Sequence, residues 1–149
     1  TQWLDPGKEG ARTYLCDIVR ECAEMGFDEI LLTDFSYPTV GKLNKIDYGD
    51  GQQSEHLLTF LKEVSAVTEE YGVKLSVELT EETVLTGADE VSYQVLSDVV
   101  EIADRIYVEA EEEDVAALTA ALAAVDDTVM LVPMVKTALQ TGNYLQMPQ

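Results

Sequence analysis

The chain has 149 residues, 46% of them hydrophobic, which suits one globular domain able to bury roughly two-thirds of its unfolded surface. Its 29 acidic and 9 basic residues give a net charge of −20, which argues against nucleic acid or an anionic membrane surface as partner. No run approaches the ~20 apolar residues of a membrane-spanning helix, no signal-peptide pattern is read, and the start Thr1-Gln2-Trp3, without Met, leads us to expect a piece of a longer protein.

In chain order, Trp3-Leu4-Asp5-Pro6-Gly7 reads as the tail of a strand and a turn, because Pro and Gly interrupt the pattern there. Over residues 11–25, Leu15, Ile18, Val19 and Cys22 keep helical spacing, and Gly26 supplies the stop. Cys16 and Cys22 fall on different faces of that helix, too far apart to bridge, so both are expected as buried thiols. A first strand is predicted over residues 29–34.

Residues 36–53 read as a long polar loop holding three glycines, a proline and two tyrosines, and loops of that length inside a domain are often functional. Ser54 can cap the next helix, whose buried stripe is Leu57, Phe60, Leu61 and Val64, with Tyr71-Gly72 at its end. Strand two, residues 73–80, alternates: Val73, Leu75, Val77 and Leu79 on one face, Lys74, Ser76, Glu78 and Thr80 on the other. A doubly wound sheet meets helices on both faces and would read as apolar throughout. One polar face between helices suits a barrel with polar groups near its mouth.

A third helix is predicted over residues 91–102, with Val95, Val99 and Ile102 on one side, and a third strand over 105–109 with Arg105, Tyr107 and Glu109 on the polar face. The run Glu111-Glu112-Glu113-Asp114 opens a fourth helix, where negative charge matches the helix dipole. Strand four covers residues 128–134, and 136–149 is a polar tail. Helix then strand, four times over, is the pattern of right-handed parallel crossovers. A complete (β/α)8 barrel takes about 250 residues. The expectation is therefore a TIM-barrel-like half barrel of four parallel strands and four helices, one α/β domain over residues 1–149.

The stretch Gly26-Phe27-Asp28-Glu29-Ile30, with Pro38, Thr39 and Gly41 after it, resembles a family of glycoside hydrolase-like TIM barrels found in bacterial exported proteins. That family's hallmark runs Gly-Phe-Asp-Glu-Ile-Gln-Phe-Asp-Tyr-Ile-Arg-Phe-Pro and is followed by a strand of the type Gly-Val-Lys-Val-Ser-Val-Asp. Trp3-Leu4-Asp5-Pro6 also fits, as do Gly72, Val73, Lys74, Ser76 and Val77, with Glu78 where the family has Asp. The resemblance covers residues 3–78 and implies the carboxyl-terminal half of the barrel, carbohydrate as ligand, and an extracellular or cell-surface place. Aligned without gaps, the hallmark Asp falls on Thr33, its Tyr on Asp34 and its Arg on Ser36, and the family's Ser-Pro-Met strand end corresponds to Tyr107-Val108-Glu109. The resemblance thus implies a diverged member.

Glycoside hydrolysis needs two carboxyl groups flanking the scissile bond. Glu78 and Glu109 stand late on neighbouring strands with inward parity, where barrel enzymes hold their catalytic groups, and are the best pair. Asp34 joins them if strand one bulges or twists at its end. The plainer reading pairs Glu78 with Lys74 and Glu109 with Arg105 as ion pairs along each strand. Phe35, Tyr37, Tyr48 and Tyr107 lie at or after strand ends, where aromatic rings can stack on a sugar or simply pack a loop.

His56, alone of its kind and placed early in a helix, is read as exposed and cannot build a zinc site. Residues 47–51 lack the ligand spacing of a calcium loop. With no phosphate loop, dinucleotide fingerprint or nucleophile elbow either, neither a metal nor a cofactor is expected. Because four strands leave an inner face wet, that face should be covered by a second copy, by the missing amino-terminal half, or by the tail.

Overall fold

The computed structural model describes residues 5–37, 53–136, 139 and 142–148. Helix α1 (Glu9–Glu24) ends where the Gly26 N–H bonds the Ala23 carbonyl and Gly26 itself takes φ 92°, a left-handed conformation that glycine adopts without strain. Its buried residues are Val19 and Ala23, with Leu15 and Cys16 packed beside them. Ile18, expected on that face, is instead 39% exposed, because the contact with α2 (Gln53–Tyr71) centres one residue further round the helix. The α2 stripe of Leu57, Phe60, Leu61 and Val64 is buried as the spacing predicts.

Strands β1 (Glu29–Leu32), β2 (Lys74–Glu78), β3 (Arg105–Glu109), β4 (Met130–Val135) and β5 (Leu145–Gln146) form one sheet in the order β1-β2-β3-β4-β5, every pair parallel. The order never reverses, so the sheet has no switch point of the doubly wound kind and curls into a half barrel with helices outside. The sequence pattern predicts four strands, and the described residues hold five. The additional strand is the tail segment Leu145–Gln146, too short and too exposed to show an apolar pattern, and it joins β4 at Met134 and Val135. The tail thus extends the edge away from β1.

The third predicted helix is the main correction. Instead of one helix over residues 91–102, α3 (Glu81–Thr86) follows β2 directly, and α4 is only Leu96–Val100. The Thr80 hydroxyl accepts from the Thr83 N–H to start α3, and Gly87 at φ 92° ends it. Asp89 then accepts from the N–H groups of Val91 and Ser92, and Tyr93 takes φ 66°, which is incompatible with a helix running through this stretch.

The helix-facing side of the sheet is the core. Leu75, Val77 and Leu79 from β2 and its exit, and Ile106 and Val108 from β3, pack with Leu61 and Val64 of α2 and with Leu118 and Leu122 of α5 (Val115–Val125). The acidic run forms a single 3-10 turn, Glu112–Asp114, that leads into α5. No helix among the described residues is long and apolar enough to cross a membrane.

Candidate active site

Two strands end in carboxylates. Glu78 is the last residue of β2 and Glu109 the last of β3, with Glu78 in register with Tyr107 and the Leu79 N–H bonded to the Tyr107 carbonyl at 2.9 Å. Strand β1 stops at Leu32, two residues short of its expected end, and Asp34 adopts φ 55°. The Ser36 N–H bonds the Asp34 carbonyl at 2.8 Å, so the regular alternation of β1 does not carry through Asp34.

The electrostatics join the three. Burial pushes the Glu78 carboxyl above the usual range, and the negative charges of Glu109 and then Asp34 push it further. Neither expected ion pair along a strand forms among the described residues: Arg105 bonds Glu29 at 3.3 Å, and Glu78 and Lys74 make no salt bridge. Positions i and i+4 on a strand are about 13 Å apart, beyond the reach of a Lys–Glu or Arg–Glu contact along one strand.

Below the carboxylates lies a polar layer that sequence reasoning missed. Glu29 on β1 accepts from the Ser76 hydroxyl, from Arg105 and from the Tyr107 phenol, the last at 3.2 and 3.3 Å to its two oxygens. Burial and then the Glu29 charge raise the Tyr107 pKa, so the phenol keeps its proton and acts as a donor. The available signal was parity: Glu29 shares a face with Leu31 and Thr33, opposite Ile30 and Leu32. Arg105, Tyr107, Leu31, Met130 and Val132, with tail residues 143–145, line an open cleft of about 360 Å³ on this concave side. Glu78 and Glu109 stand outside that lining, nearer the strand ends.

The other aromatics divide. Phe35 is 4% exposed and stacks on Phe60 with ring centroids 6.2 Å apart, so it belongs to the core instead of presenting a face to a sugar. Tyr37 is fully buried against the edge of Tyr93, with its hydroxyl 3.4 Å from Asp5 Oδ1 and 3.2 Å from His56 Nδ1. His56, expected to be exposed, is therefore half-buried beside a phenol. Both aromatics follow a strand that ends early, so the chain turns inward under the α2 helix. Tyr48 lies outside the described residues.

A second missed network joins the loops. Gln94, 3% exposed, donates through Nε2 to the Phe35 carbonyl at 2.7 Å and accepts at Oε1 from the Thr80 N–H at 3.0 Å and the Thr83 hydroxyl at 2.8 Å. The Tyr37 N–H adds a bond to the Ser92 carbonyl at 3.0 Å. Asp89 accepts from the Thr80 hydroxyl at 2.9 Å; burial works against its charge, but the bonds from Val91, Thr80 and Ser92 outweigh it and hold the carboxyl below the usual range.

Residues 1–108 match the family model described as "Putative glycosyl hydrolase domain", a longer stretch than the motif resemblance covers. No curated protein sequence matches the chain. Among solved structures, the spore cortex-lytic enzyme SleL of Bacillus megaterium superposes with TM-score 0.61 at 12% identity, over 94% of this chain and 34% of that one. The glycoside hydrolase domain of PgaB (BpsB) from Bordetella bronchiseptica gives 0.56 at 16% identity, over 87% and 48%. Ega3 of Aspergillus fumigatus, solved in complex with galactosamine, gives 0.57 at 11% identity, over 98% and 51%. At these identities the likeness is one of fold, and the chain spans between about a third and a half of the length of these structures.

Proposed function

We propose that this chain, which belongs to the family described as "Putative glycosyl hydrolase domain", forms the part of a barrel that acts on carbohydrate at the carboxyl ends of its strands. Glu78 serves as the general acid and Asp34 or Glu109 as the partner carboxylate. The observation that carries this reading is the placement of Glu78: a half-buried carboxyl at a strand end, with no ion pair among the described residues, whose proton is held to higher pH by burial and two nearby negative charges. Glycosidases arrange their acid in this way, so that it can protonate the leaving oxygen. Tyr107 and the cleft beside it supply an amphipathic wall for a sugar. The open concave face takes a cover, either the remainder of a barrel or a second copy.

A second reading has its own observation. Thr33, Asp34 and Ser36 stand where the family hallmark has Asp, Tyr and Arg, which fits a module that keeps the barrel for carbohydrate binding or assembly without turnover. The full-length protein and its Glu78→Gln variant, offered oligosaccharides that include galactosamine oligomers, separate the two. Hydrolysis by the parent that falls by about a hundredfold or more in Glu78→Gln, with binding retained, is the expected result. Equal turnover in both removes Glu78 from the acid role, and binding by both without turnover selects the binding module.

A further inference from the structure

Residues 80–94, whose last four fall where helical spacing predicts the start of a helix over 91–102, form part of a hydrogen-bonded clasp between two loops. One side holds residues 33–37, which follow β1 and carry Asp34; the other holds Thr80 and Thr83, which follow Glu78 at the end of β2. Gln94 lies between them and uses both ends of its amide: Nε2 on the Phe35 carbonyl, one residue from Asp34, and Oε1 on the Thr80 N–H, two residues from Glu78. A buried amide with its donor and acceptor both matched tolerates little displacement, because breaking either bond strands a polar group away from water. The β1–β2 ladder ends at Leu32 and Val77, so it does not fix the backbone beyond.

We propose that Gln94 is a positioning residue, which holds the loop bearing Asp34 against the end of the strand bearing Glu78 and so sets the separation of those two carboxylates. Asp34 sits in a left-handed conformation immediately before Phe35; aspartate enters that region more readily than most residues, and bonds to its neighbours help to hold it there. The Gln94 bond to the Phe35 carbonyl and the Tyr37–Ser92 backbone bond both fix the chain just after Asp34. The functional meaning of this clasp rests on the reading of Glu78 and Asp34 as working carboxylates; its physical content does not.

The test therefore reads geometry through titration, not turnover. In the full-length protein, NMR follows the Glu78 carboxyl against pH, with Glu78→Gln to assign the signal. Asp34→Asn should lower the Glu78 midpoint by removing one neighbouring charge. Gln94→Met, of similar size but without the amide, should lower it as well, because the Asp34 loop is released. In the Asp34→Asn background, Gln94→Met should add no further shift, since the charge whose distance it controls is gone. If Gln94→Met leaves the midpoint unchanged, or shifts it equally in both backgrounds, the assignment is overturned. Should Gln94→Met fail to fold, Gln94→Asn, which keeps the amide but is one methylene too short to reach both the Phe35 carbonyl and the Thr80 N–H, is read the same way, and a missing shift there overturns it too. Hydrolysis absent from every variant and from the parent would leave these shifts intact while sinking the enzymatic reading.

Discussion

Arg105 reaches across Ser76 to pair with Glu29 at 3.3 Å, two strands away, and makes no bond with Glu109 on its own strand. Neighbouring strands lie about 4.8 Å apart, so on a concave sheet long side chains from alternate strands converge. The pair is partly exposed, with side-chain accessibilities of 31% and 24%, and Glu29 also receives Tyr107 and Ser76. Arg105→Met should cost about 1 kcal/mol, the range of a partly screened pair with charged hydrogen bonds. Lys74→Met, on the exposed start of β2, should stay within about 0.5 kcal/mol. Urea unfolding of both variants checks this, and equal losses would mean that the ion pair anchors nothing.

Glu78 makes stability depend on pH in a stated direction. Its folded pKa is raised by burial and by Glu109 and Asp34, so the folded state holds the proton more tightly than the unfolded chain. That contribution is fully present below the ordinary glutamate value of 4.5 and is lost as pH rises through the folded value. Glu78→Gln, neutral at every pH, should thus be more stable than the parent at pH 8 and gain nothing at pH 4. Denaturant midpoints at the two pH values measure the difference. A variant less stable at pH 8 would mean that the Glu78 charge is compensated, contrary to its burial beside two negative groups.

Two glycines near the start of the chain should respond oppositely. A Cβ on Gly7 would lie 2.6 Å from His56 Nδ1, the atom that meets the Tyr37 hydroxyl. Gly7→Ala should push the imidazole off that hydroxyl and cost about 1–2 kcal/mol, the range for disturbing a part-buried polar contact. Gly10, inside α1 with nothing within 4 Å of its would-be Cβ, should gain up to about 1 kcal/mol as alanine. Thermal unfolding of the two variants gives the signs directly.

Legibility followed periodicity. The α2 stripe and the alternation of β2 and β3 were visible because each repeats over several residues with one face against a single neighbour, and they were enough to indicate a curled parallel sheet. Ile18 misled because apolar spacing marks a broad arc and only tertiary contact fixes its centre. Residues 91–102 misled because valines at helical spacing conceal an Asx turn at Asp89, and local side-chain bonds override propensity there. Gln94 and Glu29 act through partners far away in sequence, Phe35 and Arg105; parity puts Glu29 on the concave face, but no local pattern names either partner. Glu78 and Glu109 could be named because strand-end position and parity are themselves sequence features.

The remaining prediction concerns the edge at β1. Glu29–Leu32 has no partner strand on its far side among the described residues, all four of its residues are part-exposed, and Phe27 and Met25 beside it are exposed. An uncovered parallel edge with apolar neighbours favours association, whereas a net charge of −20 on each chain opposes it. Salt shortens the range of that repulsion to roughly a Debye length, about 10 Å at 0.1 M and 3 Å at 1 M, while leaving apolar burial intact. The 149-residue chain should therefore sediment as a mass above 16.4 kDa, in a fraction that grows with protein concentration and with added sodium chloride. Leu31→Glu, which adds a charge to the concave side of the edge strand, should reduce that fraction without unfolding the chain. Sedimentation of a folded monomer at every salt and protein concentration would show that the edge needs no cover of this kind.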